Sequence, residues 1–108
     1  MNLSLTDPYY NEQIKAYQAL YKVIDPELFV NVVDLGLIYD VVFGDDDTIR
    51  VTMTLSTPHC PMGEAITNGV QQALEITFPG KKTTINLTFD PPWNFEMMTE
   101  EGRNQLGM

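Results

Sequence analysis

Apolar residues recur along this chain in two rhythms, and the switches between them lay out the elements. From Asp7 the rhythm is helical: Ile14, Tyr17, Tyr21 and Ile24 return at three- and four-residue spacing, Asp7 is suited to capping, and Pro8 suits the first helical position. Pro26 ends this helix, because a residue preceding proline is pushed out of helical backbone. Glu27 to Gly36 then reads as a long connection into a strand. Leu37, Tyr39, Val41 and Phe43 alternate with Ile38, Asp40 and Val42, and after Gly44-Asp45-Asp46-Asp47-Thr48 the residues Ile49, Val51, Met53 and Leu55 alternate with Arg50, Thr52, Thr54 and Ser56. Two alternating runs joined by a short polar turn predict an antiparallel hairpin with one buried face.

Beyond Pro61, the positions Met62, Ala65, Ile66, Val70, Ala73 and Leu74 form a second helical stripe, stopped by Pro79-Gly80. Thr83 to Phe89 is a third strand with Ile85, Leu87 and Phe89 on one face, and Thr99 with Glu100 and Glu101 opens a short helix running to Gly107. The order helix, strand, strand, helix, strand, helix predicts an α+β fold of two layers, with helices over one face of a small three-stranded sheet. The chain has no internal repeat or linker, so residues 1–108 are expected to form one domain.

Composition narrows the function classes. The formal charge is −9, and only Lys81 and Lys82 stand together, whereas binding nucleic acid needs clustered basic residues. No apolar stretch approaches the roughly 20 residues of a membrane span, and the first residues lack the pattern of a secretory signal. The expected setting is therefore the reducing cytosol, where a lone thiol persists. The acidic triplet of the hairpin turn lacks the ligand spacing of a calcium loop and reads as a hydrated turn.

That lone thiol is Cys60, within Thr57-Pro58-His59-Cys60-Pro61, where the second strand-like run gives way to the second helical one. At the first turn of a helix a thiol faces unpaired N–H groups and the positive end of the macrodipole, which favour the thiolate. Against this stands the common role of free cysteine as a small buried hydrophobe. The chain has one Cys and one His. His59 is the immediate neighbour of Cys60, an unpromising geometry for a papain-like hydrolase, although a redox-active thiol would need only activation and exposure. The same count excludes a self-contained zinc or cluster site, which takes four ligands, and leaves a labile site shared across a dimer or with a partner protein. Asp25-Pro26-Glu27 and Asp34-Leu35-Gly36-Leu37 are ordinary turn formers on composition. In Asp90-Pro91-Pro92-Trp93 the prolines force the chain out of the sheet, and Trp93 is placed either to clamp an apolar surface or to anchor a partner.

Taken together, Asp25-Pro26-Glu27, Asp34-Leu35-Gly36-Leu37-Ile38-Tyr39, Met53-Thr54-Leu55 through Cys60-Pro61, and Asp90-Pro91-Pro92-Trp93 ending in Leu106-Gly107 resemble the SufT/PaaD-like family of iron-sulfur cluster assembly proteins. The resemblance runs from about residue 12 to the end. It implies the small α/β assembly domain and an auxiliary, non-enzymatic role in maturing or delivering iron-sulfur clusters. It also implies that Cys60 is the signature cysteine, making a transient contact with iron or a cluster. Thr54 and Thr57 match polar positions that would donate hydrogen bonds to a thiolate or sulfide. Asp34 matches an acidic motif and stands as a second candidate metal contact. The implied partners are the assembly machinery and apo client proteins, with a homodimer as one way to supply missing ligands. His59 departs from the family pattern, where many relatives carry glycine, and the cysteine-rich region typical of PaaD-type members is missing, which favours the stand-alone SufT type. A different reading makes the domain a metal-free adaptor that recruits clients through Trp93, Asp25 and Glu27.

Overall fold

The computed structural model describes residues 8–44, 46–56 and 63–107. The expected cap Asp7, the turn residue Asp45, and Thr57, His59, Cys60, Pro61 and Met62 lie outside the described residues. The elements run α1 (Tyr10–Leu20), β1 (Ile38–Phe43), β2 (Thr48–Met53), α2 (Gly63–Thr77), β3 (Lys82–Leu87), a 3-10 turn (Phe95–Met97) and α3 (Glu100–Gln105). The strands form a sheet in the order β1-β2-β3. β1 and β2 pair antiparallel across the acidic turn, which Gly44 closes by donating its N–H to the Thr48 carbonyl at 2.9 Å. β3 pairs parallel to β2, which requires a crossover, and α2 is that crossover. α1 packs on β1 and α2, and α2 packs on β3, giving the two-layer α+β arrangement the order of elements implies.

The hairpin follows the alternation in its sequence: Ile49, Val51, Met53 and Leu55 are all buried. β1 departs from it by one residue. A bulge lies between Ile38 and Asp40, so that Ile38 pairs with Met53 while Asp40 pairs with Thr52. Tyr39 is the extra residue, and the pleat is re-phased so that Ile38, Val41 and Phe43 are the buried positions. Simple alternation would place Tyr39 inward with Val41. On β3 the parity holds for Thr83 and Ile85, but Leu87 and Phe89 remain exposed at the end of an edge strand.

α1 buries Gln13, Ala16, Tyr17 and Leu20, a stripe at three- and four-residue spacing. It ends at Leu20, well before Pro26, and Tyr21 and Ile24 lie outside it and exposed. Backbone pairing explains the early stop. Val32 donates its N–H to the Val23 carbonyl at 2.9 Å and Asp25 to the Val30 carbonyl at 3.0 Å, drawing residues 23–25 into a small antiparallel arm that a helix would break. The connection that follows is part of the core. Val30, Val32, Val33, Leu35 and Leu37 are buried beside Leu20, Ile49, Val51, Ile66, Val70 and Leu74. Each such aliphatic contributes about 1.5–3 kcal/mol relative to exposure.

Gly36 marks where this connection meets the C-terminal segment. Its φ is +78°, and a Cβ there would collide with the Met97 backbone carbonyl. Left-handed backbone costs a non-glycine residue about 1–2 kcal/mol, and backbone against backbone has little room to relax. Gly36→Ala is therefore expected to lower unfolding stability by about 2–4 kcal/mol with an unchanged denaturant slope, measured by urea titration followed by circular dichroism.

Candidate functional site

Among the described residues singled out in the sequence, Asp34 is the most connected. It is 7% exposed, and each carboxylate oxygen accepts a side-chain hydrogen bond: Oδ2 from Asn31 Nδ2 at 2.7 Å, Oδ1 from the Thr99 hydroxyl at 2.8 Å. Asn31 Oδ1 accepts in return from the Asp34 N–H at 2.8 Å, closing a reciprocal turn. The Asp34 carbonyl accepts from the Thr99 N–H at 2.9 Å. Thr99 is also the N-cap of α3, its hydroxyl accepting from the Gly102 N–H at 3.1 Å, and a Cβ at Gly102 would lie 2.7 Å from the Asp34 carbonyl oxygen. Asp34 thus ties α3 to the core loop. A cation reaching it competes with both carboxylate bonds.

The Asp90-Pro91-Pro92-Trp93 segment closes the same seam further along. Asp90-Pro91 is cis. Trp93 Nε1 donates to the Leu35 carbonyl at 2.6 Å, its ring packs against the core, and Phe95 meets it edge-on with ring centres 5.0 Å apart. The polar end of Trp93 is therefore spent inside the molecule. Asp25 is likewise turned inward. It is 1% exposed, and its Oδ1 accepts from the Glu27 N–H at 2.7 Å and the Leu28 N–H at 3.1 Å, shaping the tip of the arm. Of the two acids expected to meet a partner, Asp25 uses its carboxylate to build the turn, and Glu27 is the exposed one.

Thr54 is wholly buried where β2 ends, its N–H donating to the Leu37 carbonyl at 2.9 Å. Its side chain hydrogen-bonds the Tyr39 phenol, which donates to the Pro91 carbonyl at 2.7 Å. Two residues bracket the segment that carries Cys60. Leu55 precedes it and Gly63 follows it as the first residue of α2, and a Cβ on Gly63 would come within 2.7 Å of Leu55 Cδ1. The ends of that segment are packed against each other, with Thr54 and Tyr39 beside its entry. Cys60 and Thr57 themselves lie outside the described residues. Among the described residues no group of three or more His, Cys, Asp or Glu side chains could hold a metal ion. No helix among them is long and apolar enough to cross a membrane.

Residues 13–87 match the family described as iron-sulfur cluster assembly protein. This chain belongs to that family. It is similar to the Fe-S protein maturation auxiliary factor of Porphyromonas gingivalis, 48% identical over 82% of this chain and 84% of that one. It is also similar to the Fe-S protein maturation auxiliary factor SufT of Staphylococcus aureus, 38% identical over 80% of this chain and 98% of that one. A crystal structure of a domain of unknown function from Bacillus anthracis superposes with a TM-score of 0.82 at 36% identity, covering 88% of this chain and 91% of that one. The SufT-like resemblance read from the motifs is thus shown, and so is the small α+β fold it implied.

Three residues of this family member that hold the seam went unread in the sequence: Thr99, taken only as a helix start, Met97 and Gly102. Sixty-five positions separate Thr99 from Asp34, and no local pattern announces that contact. Tyr39 supplies a measurable reporter. Burial pushes its phenol above the ordinary value of 10.0, an effect partly offset by the Thr54 hydrogen bond. A raised folded-state value favours the protonated phenol, so its contribution is complete below pH about 10 and is lost as pH climbs through the folded value. Tyr39→Phe is expected to cost about 1 kcal/mol near neutrality through the lost bond to Pro91 and to flatten the loss of stability above pH 10, checked by urea titrations across that range.

Proposed function

We propose that this protein is an accessory of iron-sulfur maturation that hands iron or a cluster to apo client proteins through one transient thiolate bond from Cys60. The single observation that carries this reading is the likeness, over most of both chains, to proteins named as Fe-S protein maturation auxiliary factors, joined to a sequence with one thiol in which to place the chemistry. The described geometry supports it in two ways. The ends of the Cys60 segment are packed together at Leu55 and Gly63. Thr54 stands buried at its entry, a hydroxyl able to serve a thiolate or sulfide if it exchanges away from Tyr39. Thr57 is the other hydroxyl proposed for that task.

The cluster is cargo. One cysteine and one histidine are too few for a four-ligand site, so the remaining ligands come from a second copy, a partner of the assembly machinery, or a small thiol. Asp34 is the weaker metal candidate, because its carboxylate already joins Asn31 to Thr99. Trp93 is the weaker partner contact for the same kind of reason, whereas Glu27 is exposed at the tip of the arm and available to one. The setting that suits this chemistry is reducing, as in the cytosol, where the thiol stays free.

Anaerobic reconstitution with iron and sulfide, followed by transfer to an apo-acceptor, compares wild type with Cys60→Ser. The expected result is loss of bound iron and of acceptor activation in the variant, with Asp34→Asn retaining both. Equal cluster yield and equal transfer by Cys60→Ser would remove the thiol from the mechanism.

A further inference from the structure

Among the described residues Met97 carries the one thioether that is not buried. Met53 and Met98 are 0% and 5% exposed, whereas Met97 is half-buried and lines a pocket of about 490 Å³ with Tyr21, Val33, Ile38, Tyr39 and Pro91. None of the lining side chains carries a charge at neutral pH, so a small neutral molecule meets no charged side chain in the pocket wall. The turn that bears Met97 is firmly held. Its N–H donates to the Asn94 carbonyl at 3.1 Å, its carbonyl lies against Gly36, and the Arg103 guanidinium donates to the Phe95 and Glu96 carbonyls at 3.4 and 3.1 Å. The clasp uses the Met97 backbone and leaves its sulfur over.

That sulfur faces a hydroxyl. The Tyr39 phenol oxygen lies 3.6 Å from Met97 Sδ and donates to the Pro91 carbonyl at 2.7 Å. It has one proton for two acceptors, and the carbonyl holds it because a thioether sulfur accepts weakly. Oxidation removes that disadvantage. A methionine sulfoxide turns an apolar side chain into a polar one, and its oxygen is an acceptor that competes with a peptide carbonyl. In this pocket the donor already beside it is the Tyr39 hydroxyl.

We propose that Met97 is a reversible oxidation site: a peroxide entering the pocket oxidises its thioether, and the sulfoxide oxygen draws the Tyr39 hydroxyl off the Pro91 carbonyl. The sulfur lone pair attacks one peroxide oxygen, the O–O bond breaks and an S–O bond forms. Sulfur is oxidised by two electrons, and the other oxygen leaves as water, taking the proton of the transferred one. The Pro91 turn then loses its bond to β1, and the phenol that also meets Thr54 at the end of β2 is displaced. The step needs no metal or cluster, so it stands or falls separately from the Cys60 chemistry.

Peptide mass mapping of the full chain after hydrogen peroxide tests it, with dithiothreitol added afterwards to return sulfenic acid and disulfide forms of Cys60 to the thiol. Met97 is expected to gain oxygen at least about tenfold faster than Met53 or Met98, as accessibility dictates. The protein oxidised at Met97 should melt about 4–8 °C lower, and methionine sulfoxide reductases acting on both sulfoxide epimers should restore it. Met97→Leu, a swap of nearly equal volume, should keep its own Tm through the same treatment. Tyr39→Phe should still be oxidised at Met97 but lose at most about half as much in Tm, having no proton to hand over. Met97 oxidised no faster than Met53 and Met98 overturns the proposal, and so does a wild-type Tm unmoved by complete oxidation of Met97. A Met97→Leu protein that loses as much Tm as wild type overturns it by placing the damage elsewhere. A Tyr39→Phe protein that does so overturns it by denying the hydroxyl its part.

Discussion

One aspartate ties the C-terminal segment of this molecule to its core loop. Asp34 sits in the core loop between α1 and β1 and binds, through three separate acceptor atoms, a side chain three residues before it and both the backbone and the hydroxyl of Thr99. Hydrogen bonds to a charged group contribute about 1.5–3 kcal/mol each, and at 7% exposure little water is available to replace them. Around this anchor the seam is completed by contacts of other kinds. Gly36 lets the Met97 backbone approach, Trp93 donates to the Leu35 carbonyl, and the Tyr39 phenol donates to the Pro91 carbonyl. The acidic-glycine motif and the proline-tryptophan motif, far apart in sequence, are the two halves of one clasp.

That clasp divides labour among the residues that suggest chemistry. Carboxylates near prolines and glycines invite assignment as metal ligands, yet Asp34 and Asp25 accept from backbone, amide and hydroxyl donors that need them. A buried donor left without its acceptor costs about 1–3 kcal/mol, which is reason enough for an acid at each position. The proposed cluster contact falls elsewhere, on Cys60, in the stretch of chain between β2 and α2. The clasp reaches the end of β2 through Tyr39, which links the Pro91 turn to Thr54.

Much of the fold was legible because β2 and α2 obey their periods. Ile49, Val51 and Met53 alternate, and Ile66, Val70 and Leu74 repeat every four residues, all buried as expected. The exceptions have local causes. Tyr21 and Ile24 continue the helical spacing of α1 by coincidence, and backbone pairing with residues 30–32 takes that stretch away from the helix. The bulge at Tyr39 re-phases β1, a one-residue event that side-chain alternation does not encode. In the candidate site, Cys60 and the acidic motifs were visible as residue types, but the roles of Asp34 and Trp93 depend on contacts made across 58 to 65 positions. A pattern read within one segment carries no such information.

The central claim is that Asp34 and Thr99 act as one clasp and that this is why an acid occupies the motif. A double-mutant cycle on Asp34→Ala and Thr99→Ala, with stabilities from urea titration, measures it most directly. The account predicts that each single change is destabilising and that together they cost less than their sum by about 1 kcal/mol or more. Costs that add to within about 0.3–0.5 kcal/mol, or an Asp34→Ala protein as stable as wild type, would contradict it.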